Sequence, residues 1–245
     1  MLVAPDERAP IARLLQFLEH GERLAHDCAQ AQADLAPDAG VRRFLLGQAR
    51  QESYHAVVFK GAIGWLGPRH LGACSQLPAL ERYRALIEEA IRRKDFLETL
   101  MAEQIILEGL GEAILSRIEE GLVLRKAPFA RLRRILLHQE EAHHQFGRRM
   151  LARAMAAGST SAEILRPRAE EYLALADEML LTLADLFESI DEEATAWASD
   201  VQHYLPEWLS IVRSRYLYTP IHRINPPATT IITGVYDFHH HPHVQ

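Results

Sequence analysis

Apolar residues recur every three or four positions along most of the chain, and the alternating pattern of β-strands is nearly absent before about residue 216. This spacing is typical of amphipathic helices. In the first helical segment the apolar stripe consists of Ile11, Leu14, Leu15, Leu18, Ala25 and Ala29. The sequence therefore predicts an all-α protein.

Glycine and proline mark the ends of the predicted helices. Gly67-Pro68 cannot continue a helix, and Gly121 follows the third helix. Because that third helix would be unusually long for a globular protein, we expect a break near Lys94-Asp95. The predicted helices cover about residues 6–35, 41–66, 79–120 and 129–158, with two more within about 162–215.

The order of these helices predicts the domain organisation. We interpret residues 1–218 as one domain, in which a four-helix bundle over about 7–157 is followed by two additional helices over about 162–215. A loop over about 68–78 is long enough to cross the bundle. Residues 219–245 contain three prolines followed by a β-branched run, and are predicted to form an extended C-terminal arm.

Composition and charge exclude several classes of function. The 245 residues are 48% hydrophobic and carry a net charge of −6, with a pI of about 6.1, so no nucleic-acid partner is expected. Two cysteines, Cys28 and Cys74, are too few for a disulfide framework, which favours a reducing, cytoplasmic location. We expect no signal peptide and no membrane-spanning segment.

Two Glu-x-x-His pairs lie about ninety residues apart, and an isolated glutamate precedes each of them by roughly 30 positions. The six residues are Glu22, Glu52, His55, Glu108, Glu141 and His144. Residues three apart project from one face of a helix, so each pair offers a carboxylate and an imidazole side by side. Four antiparallel helices would bring this set around one point, which predicts a carboxylate-bridged two-metal site.

The positions of these residues support that hypothesis more than the motif does. Each interrupts an apolar stripe, and four unpaired buried carboxylates would cost several kcal/mol or become protonated. Two divalent ions would balance four carboxylates and remove that cost. The alternative is that core histidines and surface glutamates coincide by register.

Neighbouring polar residues are candidates for outer positions around the metals. Glu140 could accept the ring N–H of His55, and Gln51 occupies the equivalent place beside Glu52, facing His144. His26 and His138 are either extra ligands or, as we favour, packed histidines.

Glu19 and Glu103 are expected to be solvated or to support the ligands. Gly109 and Gly111 flank Glu108, and they indicate either close helix packing or open volume beside the metals with a local helix distortion.

At these residues the chain resembles the ferritin-like superfamily of di-iron carboxylate proteins. The stretch from Gln139 to His144 is similar to the Asp/Glu-Glu-x-x-His signature of ribonucleotide reductase small subunits and acyl-carrier-protein desaturases. The resemblance covers about residues 10–155. It implies that the six residues above bind two iron ions, with Glu52 and Glu141 bridging them. No radical tyrosine of the reductase type and no rubredoxin segment can be assigned.

The resemblance and the ligand types together predict a function. Hard oxygen ligands with two imidazoles suit Fe(II), with Mn(II) as the alternative. We expect a di-iron oxygenase or oxidase that activates O2 and oxidises a small, lipophilic or aromatic molecule in a biosynthetic pathway. Its partners would be an electron donor and, as one option, a second copy of the chain. Metal storage or peroxide detoxification, including dimanganese catalase, is one alternative, and a metal-free helical interaction protein is another.

The C-terminal histidines are a separate group. His239, His240, His241 and His243 follow a proline-containing segment without helical spacing, so nothing holds their imidazoles at a fixed geometry. We expect these residues to take no part in the metal site.

Overall fold

The computed structural model describes residues 3–67, 77–183, 187–188 and 193–210, and these ranges contain helices and turns but no strand. The helices are α1 (Arg8–Gln32), α2 (Ala39–Leu66), α3 (Leu77–Arg92), α4 (Phe96–Leu100), a π-helical stretch (Met101–Leu107, the π segment), α5 (Glu108–Leu124), α6 (Ala130–Ala156), α7 (Ala162–Leu181) and α8 (Ala194–Tyr204). The all-α prediction is confirmed.

Most helix ends follow from local sequence. The Asp38 side chain accepts the N–H groups of Gly40 and Val41 and so caps α2, which ends at Gly67 with a left-handed φ of 59°. Lys94 also has a left-handed φ of 59°, and Asp95 caps α4. The predicted break at Lys94-Asp95 is therefore confirmed.

One predicted helix end was wrong. We expected Gly121 to end the third long helix, but α5 continues to Leu124. Glycine lowers helix stability by only about 1 kcal/mol, so a single glycine does not by itself end a helix.

The four helices of the bundle are α1, α2, the continuous run α4–π segment–α5, and α6. Helix α1 packs along α2, and α6 packs against both the π segment and α5. Outside the bundle, α3 lies against α1 and α7, while α8 lies against α5. The two helices predicted after the bundle are thus present as α7 and α8, and they enclose an apolar layer that includes Tyr83, Tyr172 and Trp197.

Within the part of the chain that the structure describes, no helix combines the length and apolar character needed to cross a membrane. The predicted arm at 219–245, its histidines, and most of the predicted loop at 68–78 lie outside the described residues.

Candidate metal centre

Six buried side chains from the four bundle helices converge on one point at the centre of the bundle. They form two overlapping groups of ligand atoms, and within each group all the atoms lie within 4.8 Å of one another. The groups are Glu22, Glu52, His55 and Glu140, and Glu52, Glu108, Glu140 and His143. Glu52 and Glu140 belong to both groups, so they lie where two metal ions would share ligands.

The first group surrounds the imidazole of His55. Its Nδ1 lies 2.7 Å from Glu140 Oε1, 3.0 Å from Glu52 Oε2 and 3.2 Å from Glu22 Oε2. Three helices, α1, α2 and α6, thus contribute carboxylates to one nitrogen atom.

The second group is arranged in the same way around His143. Its Nδ1 lies 2.8 Å from Glu52 Oε1 and 3.7 Å from Glu108 Oε1. The two rings are 6.3 Å apart between centroids, so the imidazoles face each other across the carboxylates.

A glutamine holds the outer nitrogen of each ring. His55 Nε2 lies 2.9 Å from the amide oxygen of Gln139, and His143 Nε2 lies 2.7 Å from that of Gln51. Because an amide oxygen only accepts, each Nε2 donates the proton. Each Nδ1 therefore points inward, as a metal-binding histidine with an outer hydrogen bond does.

Several buried atoms of this cluster make no hydrogen bond. They are both carboxylate oxygens of Glu52, Oε1 of Glu140 and Nδ1 of His143. Two of them, Glu52 Oε1 and His143 Nδ1, lie 2.8 Å from each other without the angles of a hydrogen bond. Buried polar atoms are rarely left unpaired, and lone pairs that converge on one point are what a bound cation needs. The residues fit a pair of metal ions.

Without metal, the acidic side chains repel one another. Burial raises the pKa of Glu22 well above its ordinary value of 4.5, and the negative charge of Glu140 raises it further. Burial and the charge of Glu52 do the same to Glu103 and Glu108. These three carboxyls therefore hold protons at pH values where exposed glutamates have lost them.

The pKa values of two members of the cluster are shifted in the direction that favours their charged forms. Burial alone would raise the pKa of Glu52, but the imidazoles of His143 and His55 outweigh it and hold that pKa below the ordinary range. Burial would lower the pKa of His55, but the carboxylates of Glu140, Glu22 and Glu52 raise it well above 6.5.

These shifts predict how the stability of the metal-free protein depends on pH. Glu22, Glu103 and Glu108 bind protons more tightly in the folded state, so their contribution to the free energy of unfolding is lost as pH rises through the folded pKa. The contribution of His55 to this free energy also falls as pH rises above 6.5. The contribution of Glu52 stays constant above pH 4.5. The melting temperature should therefore fall between pH 5 and 8, by roughly 3–5 °C per pH unit for each carboxyl that keeps its proton.

Circular dichroism of chelator-treated protein measures this dependence. Protein loaded with Mn(II) serves as the control and should show a much flatter profile, because the metals replace the protons. A melting temperature of the metal-free protein that rises over this pH range would contradict the account.

The structure corrects the predicted register of α6. Glu141 is exposed and lies 3.6 Å from the surface residue His138, so neither reaches the cluster. His144 is buried, but its Nδ1 lies 2.7 Å from Glu112 instead of the central carboxylates. Glu140 and His143 occupy the places predicted for Glu141 and His144. The helix is thus rotated by one residue, about 100°, relative to the prediction.

The sequence contains a signal that would have given the correct register. Both segments that supply the histidines of the cluster read Gln-Glu-x-x-His, at Gln51 to His55 and at Gln139 to His143. Aligning the two glutamines selects Glu140 rather than Glu141. Gln139 was missed as the partner of His55, because the two segments were not aligned on their glutamines. Glu112, the partner of His144, was missed because no motif marks it.

The remaining candidates lie outside the cluster. His26 Nδ1 lies 2.6 Å from the backbone oxygen of Ala49, which favours packing over ligation. Gln51 does contact an imidazole of α6, but the ring is His143 and not His144. Glu19 bonds to Arg23 at 2.7 Å.

Buried glutamines extend the cluster. Gln48 Nε2 donates to Glu108 Oε1 at 2.8 Å and to Glu103 Oε1 at 2.9 Å. Gln104 donates to Gln48 at 3.3 Å and to Gln32 at 2.6 Å. This network fixes the orientation of Glu108.

A small cavity of about 40 Å³ lies directly beside the cluster. Glu22, Glu108 and Glu140 form part of its wall, and the rest is apolar apart from the backbone of Gly21 and Gly111. A Cβ added at Gly111 would meet no atom within 4 Å, whereas one at Gly109 would meet His144 and Tyr204 at 3.7 Å. Gly111 thus leaves open volume, whereas a Cβ at Gly109 would make only ordinary van der Waals contacts. Since a water needs about 10–15 Å³, the cavity has room for O2 or for one end of a substrate.

A larger apolar cavity of about 220 Å³ lies farther along α1 and α5. Leu15 lies seven residues from Glu22, and Leu115 seven residues from Glu108, so this cavity begins about 10 Å along the bundle from the cluster. Apart from Glu119 and Arg133, its lining side chains are apolar.

Comparison with known proteins supports the fold. No protein-family model matches the sequence, and no curated protein matches it in sequence. Among solved structures, the chain is similar to "Protein 19 with aldehyde deformylating oxidase activity from Synechococcus", with a TM-score of 0.72 and 18% identity over 89% of this chain and 98% of that chain. At this identity the match shows the fold. The chain therefore has the ferritin-like helical fold that the sequence predicted, with two carboxylate and histidine groups at its centre that suit a dinuclear metal site.

Proposed function

We propose that the protein is a non-haem di-iron oxygenase or oxidase that uses O2 to oxidise a small, lipophilic organic molecule. The observation that carries this proposal is the convergence of four buried glutamates and two inward-pointing Nδ1 atoms on one point beside an apolar cavity. Two iron ions held there would supply the electrons that reduce O2.

Each residue of the cluster has a role in this proposal. Glu22 and His55 would hold one iron, and Glu108 and His143 the other, while Glu52 and Glu140 bridge the two. Gln139 and Gln51 would orient the imidazoles through their Nε2 protons. Iron suits this set of hard oxygen and imidazole ligands, and manganese remains the alternative.

The two cavities support an apolar substrate with a small reactive end. The cavity beside the cluster admits only a small group, whereas the larger one, about 10 Å away, suits an aliphatic or aromatic body. Apolar walls would also exclude water from the site. The aldehyde deformylating oxidase activity of the similar structure makes aldehydes the first substrates to test. A separate electron donor completes the proposal.

Oxygen uptake after anaerobic loading with Fe(II) tests the proposed function. We expect uptake in proportion to the bound iron pairs, and formation of an oxidised product from one member of a panel of apolar aldehydes and alcohols. For the aldehydes, formate release would identify deformylation. Iron-loaded protein that consumes no O2, together with manganese-loaded protein that disproportionates hydrogen peroxide, would contradict the proposal and favour the catalase alternative.

Filling the small cavity should separate metal binding from turnover. Gly111→Leu would place a side chain beside Glu22, Glu108 and Glu140, so we expect two irons to bind while substrate oxidation falls at least about tenfold, equivalent to 1.4 kcal/mol. The measurements are iron content and product formation.

Gly121→Leu is the matched control for this substitution. Gly121 lies on the same helix, has no atom within 4 Å of an added Cβ and lines neither cavity. Equal loss of turnover in both variants would show that the cavity does not hold O2 or substrate.

A further inference from the structure

Glu103 is a buried carboxyl that the metal site described above does not use. It lies in the π segment, its side chain is fully buried, and its Oε2 makes no hydrogen bond. An unpaired carboxylate oxygen at 0% exposure is costly, so its position requires an explanation.

The π segment places Glu103 on the same face as Glu108. Residues five apart lie about 140° apart around a regular α-helix, which would point the two side chains to different sides. Here the backbone N–H of Glu108 bonds to the carbonyl of Glu103, five residues earlier, as in a π turn. This extra residue in the turn rotates Glu103 toward the metal site.

Contacts confirm that the two glutamates share one environment. The amide of Gln48 donates to Glu103 Oε1 at 2.9 Å and to Glu108 Oε1 at 2.8 Å. Glu103 also lies close enough to Glu52 for their charges to interact. Glu103 thus lies beside Glu108, although it is outside the group of atoms that already lie within 4.8 Å of one another.

The first metal position has no second glutamate of this kind on α1. Glu19, the nearest other glutamate of that helix, bonds to Arg23 at 2.7 Å. The two halves of the site, otherwise arranged alike, differ in this respect.

We propose that Glu103 is an alternative ligand for the metal ion held by Glu108 and His143, and that the π segment exists to present it. This inference rests on the proposed two-metal site. It makes the second position adaptable, because a metal there can exchange one glutamate for the other while Gln48 bonds to the one that is released.

Isosteric Glu→Gln substitutions test this inference through metal content. The variants are E22Q, E108Q, E103Q and the double variant E103Q/E108Q, each titrated anaerobically with Fe(II) and, separately, with Co(II), whose visible absorption reports the ligand set. E22Q should lose one metal equivalent. E108Q should keep both, with about tenfold weaker binding at one position, because Glu103 replaces the missing carboxylate. The double variant should keep only one.

Controls separate this inference from the proposed function and from misfolding. E19Q should behave as wild type, and retention of the first metal in E108Q and in the double variant reports an intact bundle. If E108Q loses one equivalent as completely as E22Q, or if the double variant retains as much metal as E108Q, Glu103 is not a ligand and the inference is wrong. If wild-type protein itself binds fewer than two metals, the two-metal proposal fails instead.

Discussion

Glu140→Ala is expected to remove metal from both positions of the site. Glu140 belongs to both groups of ligand atoms, and its Oε1 lies 2.7 Å from His55 Nδ1 and makes no hydrogen bond. Without this carboxylate neither ion keeps a complete ligand set, and the net negative charge that balances the cations falls. Metal content after anaerobic Fe(II) loading should drop from about two per chain to well below one.

The neighbouring residue provides a matched control. Glu141→Ala makes the same change one position along α6, but Glu141 is exposed and contacts only His138 among the candidate ligands. Its metal content should equal that of wild type, and stability should change by no more than about 0.5 kcal/mol. If Glu141→Ala were the damaging substitution, the register predicted from the apolar stripe would be correct and the structure wrong.

The second large effect is expected from Gly147→Ala. An added Cβ would lie 2.5 Å from Cβ and 3.2 Å from the backbone carbon of Gln104, and neither atom can move without its helix. Helix α6 would have to move away from the π segment. This movement displaces His143, which lies one turn before Gly147, and disrupts the glutamines that orient Glu108. We expect a loss of about 3 kcal/mol or more, a melting temperature lower by roughly 6–12 °C, and loss of at least one metal.

Gly61→Ala is the corresponding control. Gly61 is exposed within α2, and an added Cβ meets no atom within 4 Å. This variant should be unchanged or more stable by up to about 1 kcal/mol, because alanine favours the helix. Equal stability of the two variants in thermal unfolding would show that α6 and the π segment do not pack as closely as described.

Local sequence signals predicted the helices well, because caps and breakers act within a few residues. Asp38 and Gly67 mark the ends of α2, and Lys94-Asp95 separates α3 from α4. The Ser161 side chain accepts the backbone N–H of Ile164 and caps α7. Such signals depend on backbone geometry and need no tertiary contact.

The register of α6 depends on packing, and for that reason the apolar stripe gave the wrong answer. The apolar stripe that Glu141 and His144 interrupt includes Leu137, which is only partly buried, whereas Leu136, Gly147 and Leu151 are buried. Gly147 carries no hydrophobic signal, although it marks the closest approach of α6 to the π segment. A stripe drawn only through large apolar residues omits such a position.

The π segment could not be predicted from sequence for a similar reason. Its residues form an ordinary α-helical pattern, and only the contacts of Glu103 and Gln104 with Gln48 and α6 favour the wider turn. A helix distortion near Gly109 and Gly111 was part of one of two alternatives, and the π segment ends two residues before Gly109. Sequence therefore identified four of the six residues of the cluster, Glu22, Glu52, His55 and Glu108, and the structure supplied Glu140 and His143.

Anomalous X-ray scattering from crystals loaded anaerobically with Fe(II) would locate the bound metal ions. We expect two peaks about 3.5–4 Å apart at the centre of the bundle. One should lie beside Glu22 and His55 and the other beside Glu108 and His143, with both in contact with Glu52 and Glu140. A single peak, or peaks located at Glu141 and His138, would contradict the two-metal site proposed for this protein.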